Sequence, residues 1–67
     1  MKTYKGRELI RLLEKHGWQV VRIEGSHHIL AREGRDEVIS VPVHGGRDIK
    51  AGMARHILRV AGIDWSE

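Results

Sequence analysis

The stretch Gly25-Ser26-His27-His28-Ile29-Leu30 decides the fold, because a glycine able to turn the chain stands directly before two histidines and an apolar pair. Upstream, Trp18 to Ile23 is strand-like, with Val20, Val21 and Ile23 supplying β-branched residues and Gln19 and Arg22 interrupting them. Glu24-Gly25-Ser26 then forms a short turn, and the chain returns from His27 to Arg32 as an antiparallel strand. The simplest solution is a hairpin that delivers two imidazoles onto the first residues of a central strand.

Working outward from this hairpin, Gly34 with Arg35 and Asp36 marks a second turn. Glu37 to Val43 then alternates Val38, Ser40 and Pro42 against Ile39, Val41 and Val43. Proline cannot donate to a ladder, so this third strand ends or lies at an edge at Pro42. Towards the N-terminus, Leu9, Leu12, Leu13 and His16 repeat at helical spacing, with Ile10 widening the stripe, which predicts a helix from Gly6 to His16. Gly17 stops it by taking positive φ, and Trp18 folds back towards Leu13. His16, at the negative end of the helix dipole, reads as a capping or packing residue.

His44-Gly45-Gly46-Arg47-Asp48 is expected as a flexible loop. From Ile49 or Lys50 to Ala61 the spacing of Ala54, Ile57, Leu58 and Ala61 predicts a second helix, flanked by Met53. Gly62 supplies its cap and Ile63 the residue that returns to Leu58. The tail Asp64-Trp65-Ser66-Glu67 is expected to fray. Helix, three strands, helix predicts an α+β two-layer sandwich, α-β-β-β-α, with a three-stranded antiparallel sheet, both helices on one face and the other face open.

At 67 residues, the chain is expected to form a single domain over 1–67 that buries too little surface to be very stable alone, so a partner or oligomerisation is expected. With no cysteine, neither a disulfide framework nor a thiolate zinc site is available. The N-terminal segment lacks the apolar core of a signal peptide, and no apolar run approaches the ~20 residues of a membrane helix, so no membrane is expected and the location is read as cytoplasmic. Net charge is +3 with a pI near 9.8, from twelve Lys and Arg against nine Asp and Glu, which favours a polyanionic partner. Lys5, Arg7, Arg22, Arg47, Lys50 and Arg55 lie near helix starts or on the exposed side of the hairpin and are the candidate contacts for such a polyanion. Trp18 is expected in the core and not as a stacking platform.

A set of residues in a fixed order now carries a resemblance: Glu8-Leu9-Ile10, Leu12-Leu13-Glu14-Lys15, Gly17-Trp18, Arg22, Gly25-Ser26-His27-His28, Val41-Pro42-Val43-His44, Lys50-Ala51-Gly52, Ile57-Leu58 and Ala61-Gly62-Ile63. From about Gly6 to Ile63 the chain resembles the HicA family, the small toxins of HicA/HicB toxin-antitoxin modules. The resemblance implies a double-stranded-RNA-binding-domain-like fold, cleavage of messenger RNA without a cofactor, and a HicB-like antitoxin as partner, through which homo-oligomers can assemble. The chain departs from the family at Ala51, where proline is frequent, and this touches the start of the second helix more than the chemistry. The family's G-S-H motif places the catalytic imidazole at His27. His28 remains the alternative, because adjacent strand residues point to opposite faces and some relatives carry the imidazole one position later.

Histidine suits proton transfer because its unperturbed pKa of ~6.5 lies near working pH. Beside the catalytic reading stands the one in which a histidine pair on a strand is an exposed polar face. His44 either assists as a second proton carrier or ends its strand, and His56 is solvated or at an interface. No carboxylate stands at a ligand spacing that would join His27, His28 and His44 in a metal site. The alternative function is a non-catalytic RNA-binding module of the same fold, which would tolerate loss of His27.

Overall fold

The computed structural model describes residues 3–63; the tail expected to fray, 64–67, lies outside them. The elements run β1 (Tyr4–Lys5), α1 (Gly6–Lys15), β2 (Gln19–Glu24), β3 (His27–Ala31), β4 (Val38–Pro42), β5 (Asp48–Ile49) and α2 (Ala51–Ala61). Strands β2, β3 and β4 form one antiparallel sheet with β3 in the centre. The shortest extent, 17 Å, is that of one sheet and one layer of helices.

Helix α2 buries the stripe its spacing predicts, Ala54, Ile57, Leu58 and Ala61, whereas α1 buries Leu9, Ile10 and Leu13 but leaves Leu12 half-buried and His16 exposed. The two helices meet Trp18, Leu30, Ile39 and Val41 from the sheet side. The helix ends share one geometry. Gly17 (φ 94°) and Gly62 (φ 77°) take the left-handed conformation, and the next residue's N–H reaches back to a carbonyl five residues earlier, Trp18 to Leu13 at 3.1 Å and Ile63 to Leu58 at 2.9 Å. Trp18 is thereby fully buried. His16 caps α1: its Nδ1 lies 3.0 Å from the Leu12 carbonyl oxygen and, when it carries the proton, donates to it.

The hairpin register explains a pattern that is not strictly period two. Val20 pairs with Leu30 but Arg22 pairs with Ile29, so Val21 is the extra residue of a bulge. The bulge sets Val20 and Ile23 on the helix side and Arg22 and Glu24 on the open side. On β4, Ile39 and Val41 are buried while Val38 and Ser40 are exposed, as the alternation requires. Ile29, opposite Ser40, is buried yet stands apart from the main apolar cluster, as a residue of the open face should.

Two expectations are corrected. The segment around Asp48 is not wholly loop: Asp48 and Ile49 pair with Lys5 and Tyr4 in a second, two-stranded antiparallel sheet. Tyr4 and Ile49 face the core, while Lys5 and Asp48 face outward with Nζ and Oδ1 3.6 Å apart. Accordingly α2 begins at Ala51, because Ile49 is held extended by this pairing, with Lys50 as N-cap. Among the described residues no helix is long and apolar enough to cross a membrane.

Candidate functional site

His27 and His28 part company at the register. His28 pairs with Val41, which is fully buried, so its ring belongs to the helix side of the sheet, where Nδ1 is buried and finds no hydrogen-bond partner among the described residues. His27 pairs with Pro42 on one side and Glu24 on the other, on the open face, and is exposed. Glu24 is itself ion-paired with Arg22.

His27 lines a cleft of about 580 Å³ along the β4 edge. Ser40 and Pro42 of β4 form one wall, and the turn after β4 adds His44 and Arg47. The far wall is β5 and the start of α2, with Asp48, Ile49, Lys50 and Met53. A backbone hydrogen bond from Arg47 N–H to the His44 carbonyl, at 3.1 Å, closes the turn, with Gly45 at φ 61°. Arg47 and Lys50 thus stand across the same opening as two imidazoles, with the first N–H groups of α2 beside them. The first turn of α2 holds no acidic residue. That arrangement fits a phosphate. The one cleft carboxylate, Asp48, is engaged elsewhere: Lys5 pairs with it, and Thr3 Oγ1 donates to its Oδ2 at 3.2 Å.

Of the cations singled out in the sequence, Arg47 and Lys50 line the cleft, and Lys5 stands behind it on β1. Arg22 lies on the open face beside Glu24, Arg7 is exposed on α1, and Arg55 is half-buried on α2. Ser40, Asp48 and Met53 were missed as cleft residues. Ser40 carried a usable signal, since the alternation of β4 sets it on the outward side, whereas Asp48 depends on a strand pairing that no local pattern announces. His56 is exposed and borders a smaller depression with Val38 and Val60. Among the described residues no group of three or more His, Cys, Asp or Glu side chains could hold a metal ion.

A small α+β sandwich with a histidine-bearing, cationic cleft at its sheet edge is the class that fold and site define. The family model for the HicA toxin of bacterial toxin-antitoxin systems matches residues 6–63, and the chain belongs to that family. It is therefore the toxin of a toxin-antitoxin module, with a cognate antitoxin as partner. Comparison with curated proteins finds no relative that matches.

Proposed function

We propose that this toxin is a metal-independent endoribonuclease that cleaves messenger RNA in the cytoplasm, with His27 as a general acid or base. The observation that supports the reading best is an exposed imidazole sharing one cleft with Arg47 and Lys50. RNA brings its own nucleophile, the 2′-hydroxyl, so the protein need only align it with the phosphate, move a proton and stabilise the developing charge. Arg47, Lys50 and the α2 N–H groups serve the phosphate, and His27 serves the proton. On this reading Lys5, Arg7, Arg22 and Arg55 extend the electrostatic footprint along the strand of RNA. A HicB-like antitoxin neutralises the toxin by covering the cleft, and homo-oligomers form through that complex.

The test is cleavage of RNA by the purified toxin in the presence of a chelator, with His27→Ala and His28→Ala side by side. His27→Ala should lose about 10²- to 10⁴-fold in rate, the worth of a general acid or base, while its melting temperature and RNA affinity stay near wild type, because the side chain is exposed. A His27→Ala protein that cleaves normally while His28→Ala is dead moves the assignment to His28. If both cleave normally, histidine catalysis is refuted, and an RNA-binding wild type that never cleaves is a binding module.

A further inference from the structure

We propose that His44 is a second catalytic imidazole, acting with His27 as an acid–base pair; this rests on the ribonuclease reading and deepens it. The β3–β4 register sets His27 opposite Pro42, and the Val43 N–H donates to the Ser26 carbonyl at 2.7 Å, which carries the same register one step past the strand ends. His44 is the next residue along, one past that bond, beside the Gly25-Ser26 turn. Side chains alternate in face, so His44 returns to the face of His27 as its diagonal neighbour, about 7–8 Å away along the backbone. Both side chains line the same cleft.

The surroundings leave that space open. A Cβ built on Gly25 would meet nothing within 4 Å, so no neighbouring atom crowds the turn that precedes His27. Among the described residues the His44 ring makes no hydrogen bond or ion pair, and the fold places no structural demand on an imidazole there. The charged groups that face the pair are Glu24 from β2, Arg47 from the turn, Asp48 from β5 and Lys50 at the start of α2.

Two imidazoles suit the reaction better than one. In an in-line displacement the attacking O2′ and the leaving O5′ lie on opposite sides of phosphorus, so one ring cannot serve both at once. A neutral imidazole takes the 2′-hydroxyl proton as the O2′–P bond forms, and an imidazolium gives its proton to O5′ as the P–O5′ bond breaks. The products are a 2′,3′-cyclic phosphate and a 5′-hydroxyl, and no redox partner is consumed. A phosphate seated between diagonal neighbours, with Arg47 and Lys50 on its free oxygens, meets both rings.

The experiment maps a wild-type cleavage site and then compares an oligonucleotide carrying the ordinary linkage with one carrying sulfur in place of the scissile O5′. A thiolate leaves without being protonated, so loss of the acid is rescued by sulfur and loss of the base is not. His44→Ala and His27→Ala should each lose about 10²- to 10⁴-fold on the ordinary linkage, and one of the two alone should recover on the sulfur substrate. Melting temperature and RNA affinity are measured alongside, and His44→Gln replaces His44→Ala should the alanine variant melt early. His44 variants that cleave at the wild-type rate overturn the proposal, as does rescue of both positions or of neither. A wild-type protein that cleaves no RNA refutes the ribonuclease reading itself, and the pair falls with it.

Discussion

Replacing Gly6 with alanine should destabilise this protein, against the usual rule for a helix. Gly6 is the first residue of α1 and lies against the end of β4. A Cβ there would stand 2.6 Å from the Pro42 carbonyl oxygen, 2.9 Å from Val43 Cγ2 and 3.0 Å from Val43 Cα. In an unobstructed helix the change from glycine to alanine gains roughly 0.5–1 kcal/mol from reduced backbone entropy in the unfolded chain. Here two of the three obstacles are backbone atoms, which cannot swing aside as the end of a flexible side chain can. Overpacking of this kind costs about 1–3 kcal/mol, and with two backbone obstacles the upper part of that range applies, leaving a net loss of up to about 2.5 kcal/mol. For a domain of this size each kcal/mol lowers Tm by about 4–8 °C. Gly52 is the matched control: it too lies in the first turn of a helix, but a Cβ there meets nothing within 4 Å, so Gly52→Ala should hold or raise Tm. Thermal unfolding of the two variants, followed by circular dichroism, decides the matter. A Gly6→Ala protein that melts at or above wild type would show that the close approach to β4 carries no energetic weight. Because Pro42 also lines the cleft, the same variant should lose RNA affinity in proportion to any shift of β4.

Three other expectations concern charge. Arg35 lies over the Trp18 ring, 5.5 Å from its centroid, donates to the Val60 carbonyl at 2.8 Å and pairs with Glu37 at 3.0 Å, so Arg35→Ala should cost about 1–3 kcal/mol by urea unfolding. The same guanidinium holds the Glu37 carboxyl below its ordinary value of 4.5. Its stabilisation is thus present above that value and fades as pH falls through the lower folded one, and the Tm difference between wild type and Glu37→Gln should vanish in acid. RNA affinity should fall with salt at a log-log slope of about −0.7 per neutralised phosphate, and Arg47→Ala or Lys50→Ala should each flatten it by about that much, whereas a salt-independent affinity refutes the electrostatic reading.

The parts of the fold encoded within a few residues were legible in the sequence. The stripe Leu9, Ile10, Leu13 and the repeat Ala54, Ile57, Leu58, Ala61 announce the two helices, and Gly17-Trp18 and Gly62-Ile63 end them, because a left-handed cap and its following apolar residue form one local unit. The turn at Gly25 and the alternation of β4 announce the three-stranded sheet for the same reason. What depended on distant partners was silent. The pairing of Tyr4-Lys5 with Asp48-Ile49 joins two dipeptides that are separated in sequence by α1 and the whole three-stranded sheet, each too short to show a period. Arg35 reads as a turn residue, yet its side chain spans from β3–β4 to the end of α2. Most of all, His27 and His28 are equivalent on a strand read alone, and a shift of one residue would exchange their faces. The burial of Val41 beneath the helices fixes the register, turning His28 inward and bringing His27 out to meet His44, Arg47 and Lys50. The residue types were set by the sequence, but the face they share was decided by packing, because pairing energy belongs to contacts between segments and to neither segment alone.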